Sequence, residues 1–122
     1  MATILLIEDN TDIRENTMEI LGLAGYNLLI AGDGTSGIQL AIQHKPDLII
    51  CDILMPGTDG YNVIDVLKKN PFTSCIPFIF FTAYTEKNEI KTGFDKGADE
   101  YITKPFEIKD LLSAIERCLT KT

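Results

Sequence analysis

Pro46-Asp47-Leu48-Ile49-Ile50-Cys51-Asp52-Ile53-Leu54-Met55-Pro56-Gly57 is the stretch from which the chain is best read. Leu48 to Cys51 is an unbroken apolar run behind a proline, which suits a strand buried on both faces of a sheet. Asp52 stands where that run ends. Open α/β sheets put ligand chemistry at the carboxyl ends of central strands. Aspartate also starts many turns. This stretch alone leaves Asp52 open between the two roles.

The flanking sequence repeats the same alternation. Thr3 to Ile7 is a short apolar run that stops at Glu8-Asp9-Asn10. Ile13, Thr17, Ile20, Leu21 and Ala24 then recur at helical spacing, with Asn10 or Thr11 as N-cap and Gly25 as the stop. Tyr26 to Ala31 reads as a strand, and Gly34 to Gln43 as a helix with Ile38, Ala41 and Ile42 on one face. Beyond Asp52, a helix is expected over Asn62 to Lys69 with Val63, Val66 and Leu67 inward, and a strand over Ile76 to Phe81. Glu86 to Lys96 is a weakly apolar helix carrying Ile90 and Phe94. Glu100 to Thr103 is a short strand. Glu107 to Leu119 is the last helix, with Ile108, Leu111, Leu112, Ile115 and Leu119 inward. Strict β-α alternation implies an α/β fold with a parallel sheet covered by helices on both faces.

Bulk properties narrow the function. The 122 residues suffice for one domain, 1–122, and are too few for two. A formal net charge of -7 argues against direct nucleic-acid binding, which favours a basic face. Cys51, Cys75 and Cys118 form no C-x-x-C and read as reduced, mostly structural thiols. Met1-Ala2-Thr3 lacks a basic leader region and no apolar run approaches membrane length, so a cytoplasmic location without membrane contact is expected.

The residues that follow the strands are the informative ones. They are Glu8 and Asp9, then Asp52, then Thr82, then Lys104 before Pro105. In a parallel sheet these ends share one edge. The flavodoxin-like order 2-1-3-4-5 makes the first and third strands neighbours at the point where ligands bind. Three adjacent carboxylates repel unless a cation joins them. Oxygen donors without histidine or cysteine suit Mg²⁺, with Mn²⁺ as a substitute, rather than Zn²⁺. An aspartate beside such an ion, a hydroxyl and an ammonium group could act as nucleophile on phosphorus. Each residue also has an ordinary role. Acids favour helix N-termini, a threonine can cap a helix, and lysines usually lie on the surface.

Ile7-Glu8-Asp9-Asn10, Asp52-Ile-Leu-Met-Pro-Gly-Thr-Asp-Gly60, Phe81-Thr82-Ala83 and Lys104-Pro105-Phe106 together resemble the receiver domain of two-component response regulators, over essentially the whole chain. The resemblance implies Asp52 as phosphoacceptor, and Glu8, Asp9, Asp52 and the Leu54 backbone carbonyl as the Mg²⁺ set. It implies Thr82 and Lys104 as phosphoryl-binding groups, Thr82 and Tyr101 as the switch pair, and a cis Lys104-Pro105 bond. The implied partners are a sensor histidine kinase or histidine phosphotransfer protein. A downstream effector or output domain would be read by the fourth helix, fifth strand and fifth helix. A monomer or a phosphorylation-dependent homodimer is implied, and no enzymatic role beyond its own phosphorylation and dephosphorylation. Leu54 and Tyr84 would flank the phosphoryl group without an amide or carboxylate to position a hydrolytic water. Glu8 departs from the commoner aspartate. Whether the chain stands alone or is excised from a longer protein stays open.

Rival readings exist. Gly32-Asp-Gly34-Thr-Ser-Gly37 is a literal G-x-G-x-x-G after a strand, with Asp52 about 20 residues on, as in a Rossmann-type oxidoreductase fragment. Asp33 would repel a pyrophosphate there, and little chain remains for a second half. A flavodoxin would lack its Ser/Thr/Gly phosphate loop, and a haloacid-dehalogenase-type phosphatase would want a second aspartate where Leu54 stands. A non-phosphorylated interaction scaffold would leave the strand-end set unexplained. His44, the single histidine, reads as a surface residue.

Overall fold

The computed structural model describes residues 1–83 and 86–120. The elements run β1 (Thr3–Ile7), α1 (Thr11–Leu23), β2 (Asn27–Ala31), α2 (Gly34–His44), β3 (Leu48–Cys51), α3 (Gly60–Lys69), β4 (Phe78–Thr82), α4 (Lys87–Asp95), β5 (Glu100–Thr103) and α5 (Ile108–Thr120). All strand pairs are parallel, in the order β2-β1-β3-β4-β5. Ile7 pairs with both Ala31 and Cys51, so β1 and β3 end side by side. The flavodoxin-like (βα)5 sandwich expected from the sequence is the fold of the molecule.

Period-two alternation sorts the sheet into two cores. Leu5, Ile7, Ile49, Cys51, Phe78 and Phe80 face α2 and α3, where Ala41, Val63, Ile64 and Leu67 meet them. Ile4, Leu6, Leu48, Ile50, Ile79 and Phe81 face α1 and α5, which supply Leu21, Leu111, Ala114, Ile115 and Cys118. Phe78, Phe80 and Phe81 are at most 1% exposed. Each stabilises the fold by roughly 1.5–3 kcal/mol relative to an exposed ring.

Several helix faces differ from the expected ones. Ile64 is buried in α3 while Val66 is 44% exposed. In α5, Ala114 and Cys118 fill the interior that Ile108, 53% exposed, was expected to share. In α2, Gly37 and Ala41 face the sheet, Gly34 is buried against Thr58, and Ile42 points outward. In α4 the buried residue is Gly93 rather than Ile90 or Phe94. A Cβ on Gly93 would lie 3.1 Å from ring carbons of both Phe80 and Tyr101, so any larger residue would press on both rings where this helix meets the sheet. β4 begins at Phe78 rather than Ile76, because Pro77 has no N–H to donate and the Asp99 carboxylate takes the Phe78 N–H at 2.9 Å. β2 begins one residue late, at Asn27.

The turns follow ordinary capping chemistry. Asn10, Asp33 and Asp59 accept from the backbone N–H of Ile13, Ser36 and Asn62 respectively. Among the described residues no helix is long and apolar enough to cross a membrane.

Candidate functional site: an acidic cluster closed by a lysine

Each side chain of the site is set by the end of a strand. The Glu8 N–H donates to the Ala31 carbonyl at 3.0 Å, which carries the sheet pattern one residue past β1. The Asp52 N–H does the same to Ile7 at 3.1 Å, past β3. Thr82, fully buried, is the last residue of β4, and its carbonyl accepts from the Lys104 N–H at 2.9 Å. The Lys104-Pro105 peptide is cis.

These backbones bring four charged side chains together. Carboxylate oxygens of Glu8, Asp9 and Asp52 lie within 4.8 Å of one another. The Lys104 ammonium donates to Glu8 Oε1 at 2.6 Å and to Asp52 Oδ2 at 3.0 Å. It also lies 5.0 Å from the centroid of the Phe81 ring, which adds a cation–π contact. Asp52 Oδ1 accepts from the Leu54 N–H at 3.3 Å, and Glu8 Oε2 from the Asn10 N–H at 3.2 Å. Glu8 and Asp52 are buried, while the Leu54 side chain is 61% exposed at the rim. Tyr101 sits half-buried on β5, 6.1 Å from Phe80 and 6.3 Å from Phe94 between ring centroids. Tyr84 lies outside the described residues.

Burial pushes the Glu8 carboxyl above the ordinary carboxylate range, and the nearby Asp52 charge adds to this. The Lys104 hydrogen bond and charge oppose the shift without cancelling it. The folded state therefore holds this proton to higher pH than the unfolded chain does. An acid raised in this way loses stability for the fold as pH climbs from its unfolded value through its folded value. In chelated protein, Glu8→Gln is expected to be more stable than wild type above that window, with the difference vanishing in acid. Urea unfolding of both proteins across a pH series measures it, and a gap that widens toward low pH would contradict the assignment. Next to Asp52, burial also pushes the Cys51 thiol up, so this cysteine stays protonated and inert. Cys118 is likewise buried, Cys75 is exposed, and none of the three forms a disulfide.

The donor set fits a hard divalent cation. Its ligand atoms are oxygens, they converge, and their charge exceeds what one ammonium group neutralises. The glycines of the Gly32–Gly37 stretch answer to packing. A Cβ at Gly34 would collide with the Thr58 carbonyl, and one at Gly37 would run into the Ile7 side chain. Asp33 caps α2 there, so a carboxylate occupies the helix N-terminus that a dinucleotide phosphate would need. His44 is the exposed last residue of α2.

Two contributors escaped the sequence reading. Gly60 packs directly on the Asp52 carbonyl, and Arg14 Nη1 donates to the Glu8 carbonyl at 3.0 Å. The D-G pair at 59–60 signals a helix start but not this close approach. Nothing in the local sequence marks Arg14.

A family model for the response regulator receiver domain matches residues 4–116. The chain belongs to the response regulator receiver family. Receiver domains are parts of two-component signalling proteins. This receiver is 38% identical to the DNA-binding dual master transcriptional regulator RpaA of Synechocystis, over all of this chain and 51% of that one. It spans about half the length of the curated relatives that it matches. Among solved structures it is similar to the chemotaxis protein CheY4 of Vibrio cholerae, with 28% identity, a TM-score of 0.92, and coverage of 98% and 99% of the two chains. It is also similar to the signal receiver domain of a histidine kinase from Syntrophus aciditrophicus, with 33% identity, a TM-score of 0.90, and coverage of 98% and 91%. The three relatives occur in three different settings, so membership of the family leaves the output of this receiver open.

Proposed function

We propose that residues 1–122 form a single receiver domain that accepts a phosphoryl group on Asp52 from a partner histidine kinase or histidine phosphotransfer protein. The observation that carries this reading is the Lys104 ammonium bridging Glu8 and Asp52 within a convergent acidic trio at the β1–β3 strand ends. An Asp52 carboxylate oxygen attacks phosphorus as the P–N bond to the donor histidine breaks, and the bonding pair leaves with the imidazole. Glu8, Asp9, Asp52 and the Leu54 carbonyl would hold Mg²⁺, which when bound offsets negative charge on the phosphoryl oxygens. Lys104 exchanges its carboxylate partner for a phosphoryl oxygen, and the Thr82 hydroxyl donates to another.

The response is a two-state shift. Thr82 moves toward the phosphoryl group, Tyr101 turns inward, and the surface of α4, β5 and α5 changes for an effector, an output domain or a second copy. α4 suits this role, since among its residues only Gly93 is buried. The donor has an apolar approach, because a groove lined by Ile13, Ile20, Leu23, Phe106 and Ile108 runs up to Lys104. The protein would work in the cytoplasm without direct contact to nucleic acid or membrane.

Wild-type protein is expected to take up label from acetyl phosphate with Mg²⁺ and none with excess chelator. Labelling indifferent to chelation would count against the reading. The phosphorylated form is also expected to be long-lived, because exposed Leu54 has no group to orient an attacking water. Decay of the label after removal of the donor measures this, and loss within seconds would show that another residue activates the water.

A further inference from the structure

The loop from Glu8 to Asn10 supplies two of the three carboxylates of the acidic cluster, and its backbone has little sheet to lean on. Beyond the Glu8 N–H, the strand ladder no longer holds it. Local hydrogen bonds replace the ladder, besides the one that Asn10 Oδ1 accepts from the Ile13 N–H as the N-cap of α1. The Asn10 N–H donates to Glu8 Oε2, the Arg14 N–H donates to the Asn10 carbonyl at 2.9 Å, and Arg14 Nη1 donates to the Glu8 carbonyl at 3.0 Å. The last of these orients the peptide that joins Glu8 to Asp9. Rotation of that peptide would swing the Asp9 side chain away from Asp52. The half-buried guanidinium reaches the carbonyl from the second turn of α1, across Gly32, where a Cβ would lie 3.4 Å from Nη1.

We propose that Arg14 is a positioning residue for the divalent-cation site. It holds the Glu8-Asp9 peptide so that both carboxylates converge with Asp52. The proposal rests on the receiver reading only for the purpose of the cation. Its electrostatic sign makes it testable. A cation near an acidic cluster repels a second cation, so charge alone predicts tighter metal binding once Arg14 is removed. Positioning predicts the opposite, and loss of an outer partner of a metal ligand typically weakens affinity about 10–100-fold.

The experiment is titration of the full chain with Mn²⁺, following the free ion by electron paramagnetic resonance. Wild type, Arg14→Ala, Arg14→Lys and Asp9→Asn are compared, and urea unfolding in chelator serves as a separate readout of the fold. Arg14→Ala is expected to weaken Mn²⁺ binding about 10-fold. Arg14→Lys, which keeps a donor on a long stem, should recover part of the loss. Unchanged or tighter Mn²⁺ binding by Arg14→Ala overturns the proposal, as does Arg14→Lys binding no better than Arg14→Ala. Should Arg14→Ala not fold, Arg14→Gln is read by the same criteria. Wild type that binds Mn²⁺ but takes no label from acetyl phosphate would sink the receiver reading and leave this test standing. Labelled wild type with unaltered Mn²⁺ affinity in Arg14→Ala would sink the role of Arg14 alone.

Discussion

Asp52→Asn is expected to take no label from acetyl phosphate under conditions that label wild type fully. The amide matches the carboxylate in shape but has no anionic oxygen to attack phosphorus. The fold should survive the change. Asp52 and Glu8 are two buried carboxylates around one ammonium group, and removing one charge relieves their repulsion while Lys104 keeps Glu8 as a partner at 2.6 Å. The variant should therefore unfold at no lower urea concentration than wild type. Intact mass with and without donor, together with an unfolding curve, tests both halves. Full labelling of Asp52→Asn would sink the assignment, and label on a neighbouring acid would move the phosphoacceptor there.

Gly60→Ala should carry the largest cost to stability of any methyl-sized change near the site. Gly60 is the first residue of α3, and its N–H donates to the Ile53 carbonyl at 2.8 Å. A Cβ there would collide with the Asp52 carbonyl and come 2.7 Å from Ile53 Cα. Both obstacles are backbone, so no side chain can rotate away. Either α3 lifts from β3 or the 52–53 peptide shifts. Overpacking of this kind costs about 1–3 kcal/mol, a fall in melting temperature of roughly 5–15 °C for a domain of this size. Phosphoryl uptake should slow as well, since the displaced peptide carries Asp52. Gly22→Ala is the matched control. Among the described residues no atom outside its own helix lies within 4 Å of the place its methyl group would take, so the better helix former should stabilise α1 by up to about 1 kcal/mol. Gly60→Ala melting at or above wild type would show that the close approach is not confining.

The strand-end residues made the candidate site legible from the sequence. Parallel strands feeding helices put Glu8, Asp9, Asp52, Thr82 and Lys104 on one edge, and the order 2-1-3-4-5 brings β1 beside β3. Helix faces were harder to read. Val66 and Ile64 are both apolar and two residues apart, and only the packing of α3 against the sheet puts Ile64 inside. In α4 the apolar pair Ile90 and Phe94 drew attention, whereas a glycine makes the close contact, through the side chain that it lacks.

Local alternation of apolar runs with helical periodicity was enough for the order of elements, the parallel sheet and the acidic edge, because those depend on which residues are apolar and how they are spaced. Distances between particular groups, near or far in the chain, were not legible in this way. Lys104 reaches Glu8 across 96 residues, Arg14 turns back to the Glu8 carbonyl, and Gly60 presses on Asp52. These contacts depend on side-chain rotamers and on how closely helices seat against the sheet. Packing of the whole chain sets both, and no short stretch of sequence encodes either.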